Sequence, residues 1–245
     1  MALSILNNEF RQGLSILVDP DEGDIELWES WIPKISGSSI DALFIGGSFL
    51  ISGRFHECVK TLKKTNKPII LFPGSNTQID NKADAILLLS LISGRNPDLL
   101  IGQHVQSSFA LKESGIQIIS TGYILVDGGK PTTVSYISNT TPIPADKPGI
   151  AAATALAGEQ LGMKCIYLDA GSGALNPVPI EMITLTKSQL QIPLIVGGGL
   201  RKIKDIEKAW EAGANWVVVG NHALENPAFL SEILWMKQKT IINEI

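Results

Sequence analysis

The chain has only two cysteines in 245 residues, Cys58 and Cys165. They lie far apart in sequence, which excludes a disulfide framework and a cysteine metal motif and makes a reducing, cytoplasmic setting the expectation. Basic charge is also short: 20 Lys and Arg stand against 24 Asp and Glu, a formal net charge of -4. No general field is available to neutralise nucleic-acid phosphates, so nucleic acid is not an expected partner, and any bound phosphate has to be held by local geometry. Long apolar runs are missing as well. The longest, around Ala85 to Ile92, is interrupted by Ser90 and falls far short of the ~20 residues that cross a bilayer, so no transmembrane segment is expected. The segment Met1 to Glu9 carries an early acidic residue and no basic-then-apolar leader pattern, so secretion is not expected. No low-complexity linker or charge block divides the chain, and residues 1–245 read as one domain.

What is present is core material. Apolar residues make up 44% of the chain and charged residues 18%, enough for a large buried interior. Eight short β-rich runs recur: Leu14 to Val18, Ala42 to Ile45, Pro68 to Phe72, Ala85 to Leu89, Gln117 to Ile119, Lys164 to Leu168, Pro193 to Val196 and Trp216 to Val219. Each is nearly continuous in apolar residues instead of alternating, the pattern of parallel strands covered on both faces. Helix-period segments lie between most of them, including Ile25 to Ile35, Phe55 to Lys64, Ile150 to Leu161, Ile180 to Leu190 and Ile203 to Ala212. Alternating β and α with eight strands predicts an α/β fold, a single modified (β/α)8 TIM barrel.

Two links depart from the ideal. Between Phe72 and Ala85 stand Pro73, Gly74, Ser75, Asn76 and Asp80, too short and too rich in helix breakers for a crossover helix, so the third helix is expected to be missing. Between Ile119 and Lys164 the gap is long. Asp127, Gly128 and Gly129 precede a β-type stretch, Thr132 to Ser138, which predicts an inserted hairpin and loop.

In such a barrel the chemistry sits where strands end. Strand one ends in Asp19, strand two in Gly46, Gly47 and Ser48, strand six in Asp169, Ala170, Gly171, Ser172 and Gly173. Strand seven ends in Gly197, Gly198 and Gly199, strand eight in Gly220 and Asn221. A phosphate needs several backbone N–H donors at close range, and glycine leaves the main chain bare enough to wrap it. Two glycine ends after strands seven and eight have the layout of a barrel phosphate cup. The plainer reading of those glycines is tight turns. Asp19, followed by Pro20, points to a ligand for Mg2+, a hard cation that bridges substrate phosphates, or to a turn cap. Ser48 adds a second oxygen to that metal or caps the following helix. Asp169 lies in an apolar strand beside Tyr167, where a carboxylate needs a partner. A ligand hydroxyl makes it a general base, and an ion pair makes it structural. Arg95, after strand four, puts a cation at the same rim for a diphosphate or a neighbouring subunit. Trp28 and Trp31, three apart, read as core packing.

The ordered series Tyr167-Leu168-Asp169-Ala170-Gly171-Ser172-Gly173, Val196-Gly197-Gly198-Gly199-Leu200-Arg201 and Val219-Gly220-Asn221 resembles the geranylgeranylglyceryl phosphate synthase family, which includes bacterial heptaprenylglyceryl phosphate synthases. Asp19-Pro20-Asp21, Gly46-Gly47-Ser48, Leu71-Phe72-Pro73-Gly74 and Gly94-Arg95-Asn96-Pro97 are similar to the second branch of that family. The resemblance implies a barrel lacking its third helix. It also implies Mg2+-dependent transfer of a prenyl group from a prenyl diphosphate to the free hydroxyl of sn-glycerol 1-phosphate. By motif match, Asp19 and Ser48 fall on magnesium positions. Tyr167 to Gly173, Gly198, Gly199, Gly220 and Asn221 fall on glycerol-phosphate positions, with Asp169 and Tyr167 as the catalytic candidates. Two positions depart from many relatives: Leu17 stands where they have lysine, and Asp169 where they have glutamate. The expected protein is a cytoplasmic homo-oligomer, with peripheral membrane contact for its lipid product. The alternatives are a metal-independent phosphosugar isomerase or lyase using Asp19 and Asp127, and a non-catalytic phosphate- or lipid-binding barrel.

Overall fold

In the computed structural model, which describes residues 12–220 and 222–242, eight parallel strands close into a barrel in chain order, the last pairing with the first. The strands are β1 (Gly13–Val18), β2 (Ala42–Ile45), β3 (Ile69–Leu71), β4 (Ala85–Leu91), β5 (Gln117–Leu125), β6 (Cys165–Asp169), β7 (Leu194–Gly197) and β8 (Trp216–Val219). The helices are α1 (Ile25–Ser36), α2 (Phe55–Leu62), α3 (Gln103–Ser114), α4 (Thr133–Ser138) and α5 (Pro148–Gln160), then α6 (Ile180–Gln189), α7 (Ile203–Glu211), α8 (His222–Glu225) and α9 (Pro227–Ile242). No helix joins β3 to β4, as the breakers between Phe72 and Ala85 predict. There the sheet is also narrowest. Ile70 faces Ala85 and Leu71 faces Ile86, whereas β4 and β5 run together along all of Ala85 to Leu91.

Strand residues divide between two cores because successive side chains point to opposite faces. Leu14, Ile16 and Val18 of β1, with Leu43 and Ile45 of β2, pack outward against buried helix residues such as Trp28, Trp31 and Ile35 of α1. The alternate positions fill the barrel: Phe44, Ile70, Leu87, Ile119, Cys165 and Ile195 among others. Trp216 plugs the end where the strands begin. A Cβ placed on Gly13 would stand 2.3 Å from its indole, so only glycine lets β1 pass that ring. The opposite end is capped by an aromatic layer in which Phe72 lies 5.9 Å from Tyr123 and 5.1 Å from Tyr167. Each large side chain sealed in this way contributes about 1.5–3 kcal/mol of burial.

The long gap after Ile119 is organised differently from the sequence expectation. β5 continues to Leu125, and Thr132 to Ser138 is not a hairpin but helix α4 with its cap. The reason is a reciprocal capping box: the Thr132 side chain accepts from the first-turn backbone, and the Thr132 amide donates to Ser135 Oγ at 3.0 Å. Satisfied end groups outweigh the weak helix propensity of its β-branched residues. Gly128 turns the chain ahead of it, and its carbonyl accepts from the Leu175 and Asn176 amides, fastening the loop after β5 to the loop after β6. Among the described residues no helix is long and apolar enough to cross a membrane.

Candidate active site

Two cavities open at the end of the barrel where the strands finish. The first, about 330 Å3, is lined by Tyr167, Asp169, Ser172, Gly173, Gly198, Gly199 and Gly220, with Leu17, Glu22 and Arg201 also on its wall. Gly198 has φ +81°, and a Cβ there would lie 2.6 Å from Asp169 Oδ1 and from the Gly171 amide nitrogen. Gly199 has φ +70°, with the Asn176 carbonyl 2.5 Å from the same point. Turn chemistry and close approach therefore coincide at both positions. Leu168 and Ala170 turn their side chains into the packing outside the barrel. The Ala170 amide donates to the Gly197 carbonyl at 3.1 Å and the Gly171 amide to Asp169 Oδ1 at 2.7 Å. Those two donors are taken, which leaves an anion to the loop at Ser172 and Gly173 and to the glycines after β7 and β8. Asn221 lies outside the described residues.

Among the described residues, Asp169 is not held by the ion pair that was the structural alternative for it in the sequence; instead the Tyr123 hydroxyl donates to its Oδ2 at 2.6 Å, and the Gly171 amide serves Oδ1. Burial pushes its pKa up, and the bonds from Tyr123 and Gly171 hold it partly down. The Tyr123 and Tyr167 hydroxyls are raised well above 10, first by burial and next by the Asp169 charge, so both remain protonated donors at neutral pH. Tyr123 is the residue that sequence reasoning missed. It stands opposite Tyr167 in the β5–β6 register and shares the inward side with Ile119 and Thr121. Once β5 is carried past Ile119, that parity identifies it.

The second cavity, about 250 Å3, adjoins the first across Tyr123. Its wall is mostly apolar, with Phe72, Leu89, Leu91 and Leu99 joined by Val134 and Ile137 from α4. Ser48, Asn96, Asp98, Gln103 and Ser138 supply the polar edge. A small cavity of about 40 Å3, on the flank that has no helix, shares Pro73, Leu89 and Gln103 with it. Arg95 does not reach this mouth. Its guanidinium donates to the Gly94 carbonyl at 2.6 Å, and it lines a groove outside the barrel with Ile150, Ala153 and Ala157 of α5.

Asp19 closes the wall between β1 and β2. Its Oδ1 accepts from the Asp21 amide at 2.9 Å, so the cap reading holds. Its Oδ2 stands 2.7 Å from where a Cβ on Gly47 would sit, and Ser48 follows on the wall of the apolar cavity. Burial is the main cause that lifts the Asp19 pKa to about 6, the Glu22 and Asp21 charges adding to it and the Asp21 amide opposing. Asp21 ties this corner together by accepting from the Ile51 and Ser52 amides at 2.7 and 3.0 Å. Among the described residues no three His, Cys, Asp or Glu side chains gather to enclose a metal. Asp127, which an isomerase would need in the cavity, is exposed and accepts from the Gly129 amide at 2.8 Å.

The PcrB family model matches residues 8–238 of this chain. The geranylgeranylglyceryl phosphate synthase of Chitinophaga pinensis is 50% identical over 226 residues, covering 91% of this chain and 88% of the relative. That of Spirosoma linguale is 45% identical over 224 residues, covering 91% and 90%. Among solved structures, the (S)-3-O-geranylgeranylglyceryl phosphate synthase of Thermoplasma acidophilum in complex with its substrate sn-glycerol-1-phosphate superposes with a TM-score of 0.86. It shows 29% identity over 92% of both chains.

Proposed function

The chain belongs to the PcrB family, and from that premise we infer that it is a prenyltransferase joining a prenyl group to glycerol phosphate. The acceptor is sn-glycerol 1-phosphate, the donor a prenyl diphosphate, and the products an ether-lipid precursor and diphosphate. The observation that carries this reading is the Tyr123–Asp169 pair, set between a glycine-walled cavity and an apolar one. A phosphorylated alcohol in the first cavity brings its hydroxyl to Asp169. A prenyl chain in the second brings its C1 to the same boundary. As the acceptor oxygen bonds to C1, the C1–O bond to diphosphate breaks and the hydroxyl proton passes to Asp169. Tyr123 and the Gly171 amide hold the carboxylate in place, so no reorganisation is needed during transfer. Tyr167 packs on Tyr123 with ring centroids 5.7 Å apart and walls the acceptor side.

Mg2+ fits the corner made by Asp19 and Ser48. A half-buried carboxylate held up to about 6 regains by cation contact what burial costs it, and one carboxylate with a hydroxyl suits an ion that otherwise keeps water and substrate phosphate. When bound, the ion supplies positive charge to the departing diphosphate. The glycerol-phosphate group belongs to Ser172, Gly173, Gly198, Gly199, Gly220 and Asn221, with the backbone from Tyr167 to Gly171 shaping the wall. The described residues form one barrel unit, which acts in the cytoplasm. Exposed Val105 and Phe109 on α3, and exposed Ile150 on α5, support a homo-oligomer.

The test is direct. Purified protein with geranylgeranyl diphosphate, sn-glycerol 1-phosphate and Mg2+ is expected to form a lipid phosphate and release diphosphate. Absence of product with prenyl diphosphates of every length overturns the reading, and undiminished turnover in chelator removes the metal assignment.

A further inference from the structure

The acceptor cavity has a charge problem. Glu22 and Asp169 both line it, and Arg201 is the one cation among its described lining residues. A phosphomonoester adds roughly two more negative charges at neutral pH, and backbone amides offer only partial positive charge in return. Leu17, on the β1 side of the wall, contributes none.

A second cation stands close by. A Cβ built on Gly173 would lie 3.6 Å from Lys130 Nζ, so the ammonium reaches over that glycine from the loop after β5. Arg201 comes from the loop after β7, with Nη2 3.5 Å from the Gly173 carbonyl, the long limit of a hydrogen bond. Two cations on different loops thus converge on one bare residue of the β6 loop. Both are exposed, and among the described residues neither is in an ion pair. A guanidinium held only by a long contact is free to exchange it for a charge-assisted, forked pair with phosphate.

We propose that Arg201 and Lys130 form a clamp over the acceptor's phosphate, with Arg201 the principal phosphate-binding side chain and Lys130 closing the cavity from the opposite loop. The clamp rests on the acceptor reading given above and deepens it: it makes the phosphate, not the glycerol, the feature by which the acceptor is chosen. Gly173 itself is required by its φ of +73°, and a Cβ there would meet Lys130 at ordinary contact distance.

Calorimetry with inorganic phosphate tests the clamp without any turnover. Arg201→Gln is expected to weaken phosphate binding, and to raise KM for glycerol 1-phosphate, by roughly tenfold or more. Lys130→Gln is expected to cost about two- to fivefold, as suits an exposed charge. KM for geranylgeranyl diphosphate and the melting temperature should stay at parent values in both, a split that a structural role would not produce. Arg201→Lys should recover part of the loss, since it restores the charge but not the fork. Phosphate affinity unchanged in Arg201→Gln overturns the clamp while leaving the prenyl-transfer reading intact. Conversely, Arg201-dependent phosphate binding in a protein that transfers no prenyl group supports the clamp and removes only the reaction.

Discussion

Replacing Tyr123 with phenylalanine isolates the role of Asp169, because the ring stays in the aromatic layer and only the hydroxyl is lost. That hydroxyl donates at 2.6 Å to a buried carboxylate and holds its pKa down against the upward push of burial. A hydrogen bond to a charged group contributes about 1.5–3 kcal/mol, and one pKa unit corresponds to about 1.4 kcal/mol. The Asp169 pKa in Tyr123→Phe should therefore rise further, because burial then acts with one opposing hydrogen bond fewer. A base must be ionised to accept the acceptor's proton, so kcat/KM climbs with pH through that pKa, and the acid limb of the profile should move to higher pH. Stability should follow with a definite sign. The folded-state pKa of Asp169 already lies above its unfolded value of 3.8, so ionisation penalises the fold above that value and the penalty levels off beyond the folded-state pKa. The variant enlarges the penalty, and its deficit in melting temperature relative to the parent should widen as pH rises from about 4 toward neutrality. Steady-state rates across pH, with melting curves at the same points, measure both. An acid limb that stays where it was, or moves down, would refute Asp169 as the base held by Tyr123.

Three further outcomes are expected. Asp19→Ala should reduce Mg2+-dependent turnover by about 100-fold or more while leaving inorganic phosphate affinity near the parent value by calorimetry; full activity would return Asp19 to a purely capping role. Gly198→Ala forces a Cβ at φ +81° to within 2.6 Å of Asp169 Oδ1, which should cost about 2 kcal/mol or more, and an unchanged melting temperature contradicts the tight seat described for it. Ile137→Asp puts a carboxylate on the wall of the apolar cavity and should raise KM for geranylgeranyl diphosphate by about tenfold with KM for glycerol 1-phosphate unaffected. Equal rises in both constants would count against separate cavities for the two substrates.

The barrel was legible because parallel strands buried on both faces leave uninterrupted apolar runs, and the absent crossover was legible because Pro73, Gly74 and their neighbours cannot build a helix. β5 was cut short for an instructive reason. Ser120, Thr121 and Gly122 look like a strand end, yet Thr121 Oγ1 donates to the Ile119 carbonyl at 2.8 Å and sits 3.2 Å from Cys165 Sγ. Gly122 makes room for Ile166, Ile92 and Met163. Polar groups satisfied inside the barrel let the strand run on, and a propensity reading has no access to that satisfaction. The same cut hid Tyr123. Helix α4 was hidden by its β-branched residues, which pattern alone assigns to strand, while the capping box Thr132–Ser135 is a three-residue signal easily lost in a long gap. The positions of Asp19, Ser48 and the glycine ends could be read from where strands stop. Which amides were already occupied, and that Arg95 turns outward, depended on the packed loops.

The narrow junction between β3 and β4 makes the ring mechanically unequal around its circumference. With two facing residue pairs and no helix laid across it, that junction opens at a smaller free-energy cost than the long β4–β5 ladder. Amide protons of Ile69 and Leu71, which lie on the β4 side of β3, should exchange with solvent ahead of those deep in β5, and the first breathing of the structure then occurs beside the apolar chamber, leaving the phosphate cup on the far arc undisturbed.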